Sequence, residues 1–90
     1  MGTVIRGRVL GPDGRPMSGA RVYFRSGPGA HADIAGLTSD EGAFALFAPQ
    51  EGTYEIESAA DGFEPAVAKV DAPGEGELTV DVQLEREIGA

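Results

Sequence analysis

The 90-residue sequence contains no cysteine, no tryptophan and no asparagine, and it has one histidine and one lysine. Each gap removes something. Without cysteine there is no disulfide, no thiolate nucleophile and no cysteine-based zinc site. Without asparagine there is no N-glycosylation acceptor. Without tryptophan, any aromatic platform for a sugar falls to Tyr23, Tyr54 and the four phenylalanines. No apolar run approaches the roughly 18 residues of a membrane-spanning helix, so membrane insertion is not expected. The N-terminus, MGTVIRGRVLG, lacks the apolar core of a signal peptide. The sequence therefore leads us to expect either a cytoplasmic protein or a piece of a larger extracellular or envelope protein.

Basic residues are also scarce. The formal charge is −8, from 7 Lys and Arg against 15 Asp and Glu, which argues against nucleic acid as a partner. Five arginines (6, 8, 15, 21 and 25) lie in residues 1–30 against Asp13 alone, a net of +4. Residues 31–90 carry Lys69 and Arg86 against fourteen acids, a net of −12. The simplest expectation is that the two regions meet in the fold and neutralise each other. The alternative is a basic face used for binding.

The apolar period is two along most of the chain, which is the strand period. Residues 3–10 alternate Ile5, Gly7 and Val9 with Arg6 and Arg8, and residues 20–25 alternate Ala20, Val22 and Phe24 with Arg21, Tyr23 and Arg25. A weaker strand covers 34–39. Residues 43–47 place Phe44 and Leu46 on one face, and 52–59 place Tyr54, Ile56 and Ser58 opposite Glu55 and Glu57. Residues 64–70 contain Pro65, which marks a strand start or an edge. Residues 77–84 turn Leu78, Val80, Val82 and Leu84 inward. Seven strands at such spacing, with 14 glycines and 6 prolines between them, predict an all-β, seven-stranded sandwich. The domain is expected to span residues 1–85, with 86–90 a frayed tail.

The turns have chemical signatures. Pro12-Asp13-Gly14, Asp40-Glu41-Gly42 and Asp61-Gly62 combine a residue that bonds nearby amides with a glycine able to take positive φ. Asp40 and Glu41 are adjacent, which raises the question of a carboxylate pair. Neighbours on an exposed turn point apart and stay solvated, whereas a catalytic pair must flank its substrate. A hairpin tip is the better expectation.

Together these residues resemble the carboxypeptidase regulatory-like domain, one of the transthyretin-like (prealbumin-like) sandwiches. The resemblance rests on IRGRVLGPDGRPMSGARVYF, then TSDEGAFAL, then PQEGTYEIESAADGF. Its framework positions are Gly7, Gly14, Gly19, Asp40, Gly42, Phe44, Gly52, Tyr54 and Gly62. We expect Gly14 and Gly42 at turn tips, Gly19-Ala20 at a close backbone approach, and Tyr54 offering its ring to the core and its hydroxyl to a loop. The resemblance implies a Greek-key, transthyretin-like topology with the first strand beside the last. It also implies a non-catalytic accessory module whose partner is a protein or another domain of the same polypeptide. A glycan or peptide ligand is the alternative. A transthyretin-like hydroxyisourate hydrolase is more remote, since the chain has one histidine and ends in REIGA. A lysine–asparagine isopeptide bond, as in related collagen-adhesin repeats, is excluded by the missing asparagine.

No catalytic residue, metal ligand or cofactor-binding residue is assigned. His31-Ala32-Asp33 has metal-like spacing but falls short of the three protein ligands of a catalytic zinc. Gly27-Pro28-Gly29 lacks the lysine and helix of a phosphate loop. Asp40, Glu41 and Asp61 do not form a calcium-loop pattern. The candidate interaction face is Arg21, Tyr23 and Arg25 with His31 and Asp33 of the adjoining 26–33 loop.

Overall fold

A computed structural model describes residues 2–28 and 36–87. The described residues form a β-sandwich from ten strand segments. β1 (Thr3–Leu10) is central in one sheet, with β4 (Ala43–Ala48) antiparallel on one side and β8 (Glu77–Thr79) and β9 (Val82–Gln83) parallel on the other. The second sheet runs β3 (Gly36–Leu37), β2 (Arg21–Ser26), β5 (Gly52–Ala59), β7 (Ala66–Ala72). A two-stranded ribbon pairs β6 (Phe63–Glu64) with β10 (Glu85–Arg86).

The period-two pattern becomes the core directly. Ile5 and Val9 from β1, Val22 and Phe24 from β2, Phe44 from β4, and Tyr54 and Ile56 from β5 lie buried between the sheets. Val82 and Leu84 close the end beside β1. Burying one such aliphatic side chain contributes about 1.5–3 kcal/mol. The first strand does lie beside the last, in a single register from Val4↔Glu77 to Leu10↔Gln83.

Three expected strands differ in detail. The 64–70 strand is split at Pro65, which has no N–H for a ladder; β7 continues as the edge of the second sheet. The 77–84 strand is broken at Val80-Asp81. There the Arg8 N–H donates to the Asp81 carboxylate (3.1 Å) instead of a strand carbonyl, and pairing then resumes in the same register. The 34–39 strand is described only at Gly36–Leu37. Strand pairing continues to Arg86. Arg86 pairs with Phe63, its guanidinium lies 5.7 Å from the Phe63 ring centre, and the Glu87 N–H donates to the Gly62 carbonyl.

Gly7 shows why the parallel pairing tolerates that break. A Cβ on Gly7 would lie 1.6 Å from the Val80 carbonyl oxygen, so only glycine fits there. Gly19 corrects the expectation of a close approach. Nothing lies within 4 Å of its Cβ direction, and glycine is needed there for φ of +74°.

Candidate functional site

β2 carries the candidate face. Val22 and Phe24 point into the core, so the pleat turns Arg21, Tyr23 and Arg25 to the outer surface of the second sheet. The structure thus brings these three together. His31 and Asp33 lie outside the described residues.

The register of β2 on β5 decides the electrostatics. Tyr23 stands opposite Glu57. Between Phe24 and Ser26 the register shifts, so Arg25 and Ser26 both face Glu55. Ser26 Oγ donates to Glu55 Oε1 at 2.9 Å, and Arg25 Nε lies 3.9 Å from the same oxygen. Arg21 Nη2 lies 3.7 Å from Asp61 Oδ1 in the turn after β5. On the far side of β5, Lys69 of β7 stands opposite Glu55. The arginines are therefore matched by acids of β5 and of the turn that follows it, and the face has mixed charge. Hydrogen bonding to Glu57 is the main cause that holds the Tyr23 phenol above its ordinary pKa of 10.0. Burial and the charge of Glu57 add to the rise, and Arg21 and Arg25 oppose it. The sequence signal for this neutralisation was Glu55 and Glu57 at outward positions of the next strand; the bulge that places Arg25 and Ser26 against one acid had no signal.

The acidic turn is now placed. The Gly42 N–H donates to the Ser39 carbonyl and the Ser39 N–H to the Ala43 carbonyl, closing a tight turn. It is not a hairpin tip, because β3 pairs with β2 while β4 pairs with β1 in the other sheet. It is a corner between sheets. Ser39 Oγ, not Asp40, accepts the amides of Glu41 and Ala43. Asp40 accepts from Ser18 Oγ at 3.3 Å. Nearby, the buried Thr38 hydroxyl donates to the Met17 carbonyl (2.6 Å) and accepts from the Ala20 N–H (2.9 Å), fixing the entry to β2.

A shallow groove of about 600 Å³ lies at the ribbon end, with Pro12, Pro65 and Ala66 along it and Glu64, Glu85 and Arg86 at the ribbon. Glu64 and Glu85 stand directly opposite each other. Among the described residues, no group of three or more His, Asp or Glu side chains is placed to hold a metal ion.

The sequence model of the carboxypeptidase regulatory-like domain matches residues 4–85. No curated protein matches the chain. Among solved structures, hydroxyquinol 1,2-dioxygenase from Pseudomonas putida DLL-E4 superposes with a TM-score of 0.72 at 13% identity, over 97% of this chain and 57% of that one. The Bacillus anthracis TIE protein gives 0.67 at 16% identity, over 94% and 16%. A protein of unknown function from Bacteroides fragilis NCTC 9343 gives 0.64 at 22% identity, over 99% and 29%. The likeness at these identities is one of fold. The chain spans just over half of the dioxygenase and under a third of the other two.

Proposed function

The chain belongs to the carboxypeptidase regulatory-like domain family, and on that premise we propose that it is a non-catalytic accessory module. It acts as a spacer, a stabiliser or a protein-interaction domain within or beside a larger bacterial protein. The observation that carries this reading is the extent of the family match. It takes in residues 4–85, so the sandwich itself is what the chain contributes. The outer face of the second sheet supports it. Arginines met by acids of β5 and the turn after it suit contact with a mixed polar surface better than capture of a small anion.

The purified chain is expected to fold alone, and its Tm is expected to stay constant on adding calcium, zinc or chelator. It is also expected to leave hydroxyisourate hydrolysis at the buffer rate. Turnover above that rate overturns the reading. Tyr23, partly exposed between two arginines, favours one second reading, a carbohydrate- or peptide-binding module. Titration with soluble polysaccharides and peptides, followed by tyrosine fluorescence and compared with Tyr23→Phe, separates the two.

A further inference from the structure

Among the described residues, the outer strands of the two sheets are not alike. β8 has three residues and carries Glu77, and β7 carries Lys69 on its exposed side and follows Pro65. Short length, charge and proline are the usual protections of a sheet edge. β4, Ala43–Ala48, has six residues, AFALFA, with no charge and no proline.

The main chain of β4 can be assigned group by group. The Val9 N–H donates to the Gly42 carbonyl, so odd-numbered residues of β1 bond toward β4. The register then makes Ile5↔Leu46 and Gly7↔Phe44 the bonded pairs. Phe44, Leu46 and Ala48 therefore direct their backbone groups to β1, and Ala43, Ala45 and Phe47 direct theirs outward. Ala43 is occupied already: its N–H donates to Ser39 Oγ and its carbonyl accepts the Ser39 N–H. Among the described residues, the N–H and C=O of Ala45 and Phe47 have no partner.

We propose that β4 is a self-association edge, at which a second copy of this chain pairs antiparallel about a two-fold axis at Leu46. In that register Ala45 faces the second copy's Phe47, and Phe47 faces its Ala45. These are bonded pairs, so all four free groups of each strand are used. The next outward pair would join Ala43, already bonded, to Pro49, which has no N–H. The ladder thus stops at both ends where the donors and acceptors run out. The side chains suit the same register. Leu46 is half-buried and meets its symmetry mate across a close, non-bonded pair. On the outer surface Phe47, 58% exposed and lying over Gly2, stands beside the small side chain of the other copy's Ala45. No like charges oppose one another along the strand, although the chain carries −8 overall. This inference concerns the sheet edge and stands independently of the accessory-module reading.

A single pair of short strands makes a small interface, and interfaces below about 1,200 Å² are weak. The test therefore spans roughly 10 µM to 1 mM protein. The mass from sedimentation is expected to rise from 9.3 kDa toward twice that value across the range. The amides of Ala45 and Phe47 are expected to become at least several-fold slower in hydrogen exchange over the same range, with the remaining edge amides unchanged. Ala45→Lys, on an exposed face, is expected to keep the fold by circular dichroism and Tm while holding the mass at 9.3 kDa throughout. A monomer at every concentration overturns the proposal. So does a dimer that Ala45→Lys leaves intact, or one that protects amides of β7 instead.

Discussion

Tyr54 is fully buried and still satisfies its hydroxyl, which donates to the Gln50 carbonyl (2.8 Å) and accepts the Gln50 N–H (3.1 Å). Its ring packs 4.8 Å from Phe24 and leaves room only for glycine at position 27, where a Cβ would come within 2.3 Å. Ser58, two strand repeats along the same face, is the contrasting case. It is also fully buried, and among the described residues its Oγ has no hydrogen-bond partner. Each bond lost is worth about 0.5–1.5 kcal/mol, whereas a buried hydroxyl without a partner is a net cost. Tyr54→Phe is therefore expected to lower the urea midpoint, and Ser58→Ala to leave it unchanged or raise it by about 1 kcal/mol in stability, both with an unchanged slope. The role of Tyr54 was legible because a lone tyrosine on the inward face of a strand must place its hydroxyl somewhere. The isolation of the Ser58 hydroxyl was not, because it depends on which neighbours reach it. Tyr23 allows a titration test in the Tyr54→Phe chain, where it is the only tyrosine left. A phenol raised by its acid neighbour is more readily protonated in the folded state. Its contribution to stability is complete below pH 10.0 and is lost as pH rises through the folded-state value. Phenolate absorbance is expected to give a midpoint above 10.0, and Glu57→Gln to bring it down.

Strands β6 and β10 form the weakest element by charge. Glu64 and Glu85 oppose each other directly, and like charges on facing strand positions are destabilising. What holds the ribbon is the Glu87 N–H on the Gly62 carbonyl, the Arg86 guanidinium over Phe63, and Leu84, fully buried just before it. Glu85→Lys turns the repulsive pair into an attractive one. The expected gain is roughly 0.2–1 kcal/mol, seen as a higher Tm at low salt that shrinks as salt is added. A fall in Tm would place the Glu85 carboxylate in some favourable contact instead. At this scale the sequence was informative about faces and poor about pairing. Alternation named the inward residues of β1, β2, β4 and β5, because one sheet face meets the core whatever the neighbour is. The break at Pro65 had a local signal, since proline marks a strand start or an edge; the break at Val80-Asp81 and the bulge at Arg25-Ser26 depend on the adjacent strand, and no local pattern encodes them. The candidate face divides the same way. That Arg21, Tyr23 and Arg25 share a surface followed from period two, and that Glu55, Glu57 and Asp61 meet them followed only from the register.

Across the whole molecule, the uneven charge resolves into contacts between the two regions. Arg6 reaches Glu77 at 3.5 Å, Arg21 reaches Asp61 and Arg25 reaches Glu55. Each joins a residue of the first thirty to an acid beyond them; among the described residues Arg15 alone pairs locally, with Asp13. The arginine-rich start is thus mainly a counterweight to the acids of β5, β8 and the turn after β5. Two arginine pairs can be compared by charge reversal: Arg6 with Arg8 on β1, and Arg21 with Arg25 on β2. The contacts argue for comparable effects. Both pairs sit on outer faces, each arginine that forms an ion pair is exposed, and such pairs are individually weak. A stronger effect is common to both. Reversing two arginines to glutamate moves the net charge by −4, from −8 to −12, and adds self-repulsion spread over a small domain. Arg6→Glu/Arg8→Glu and Arg21→Glu/Arg25→Glu are therefore each expected to lower Tm by a few degrees at low ionic strength. Most of both losses should be recovered near 1 M salt, where the screening length falls to about 3 Å. A loss confined to one pair, or one that persists at high salt, would mean that those arginines hold the fold through packing of their stems and not through charge.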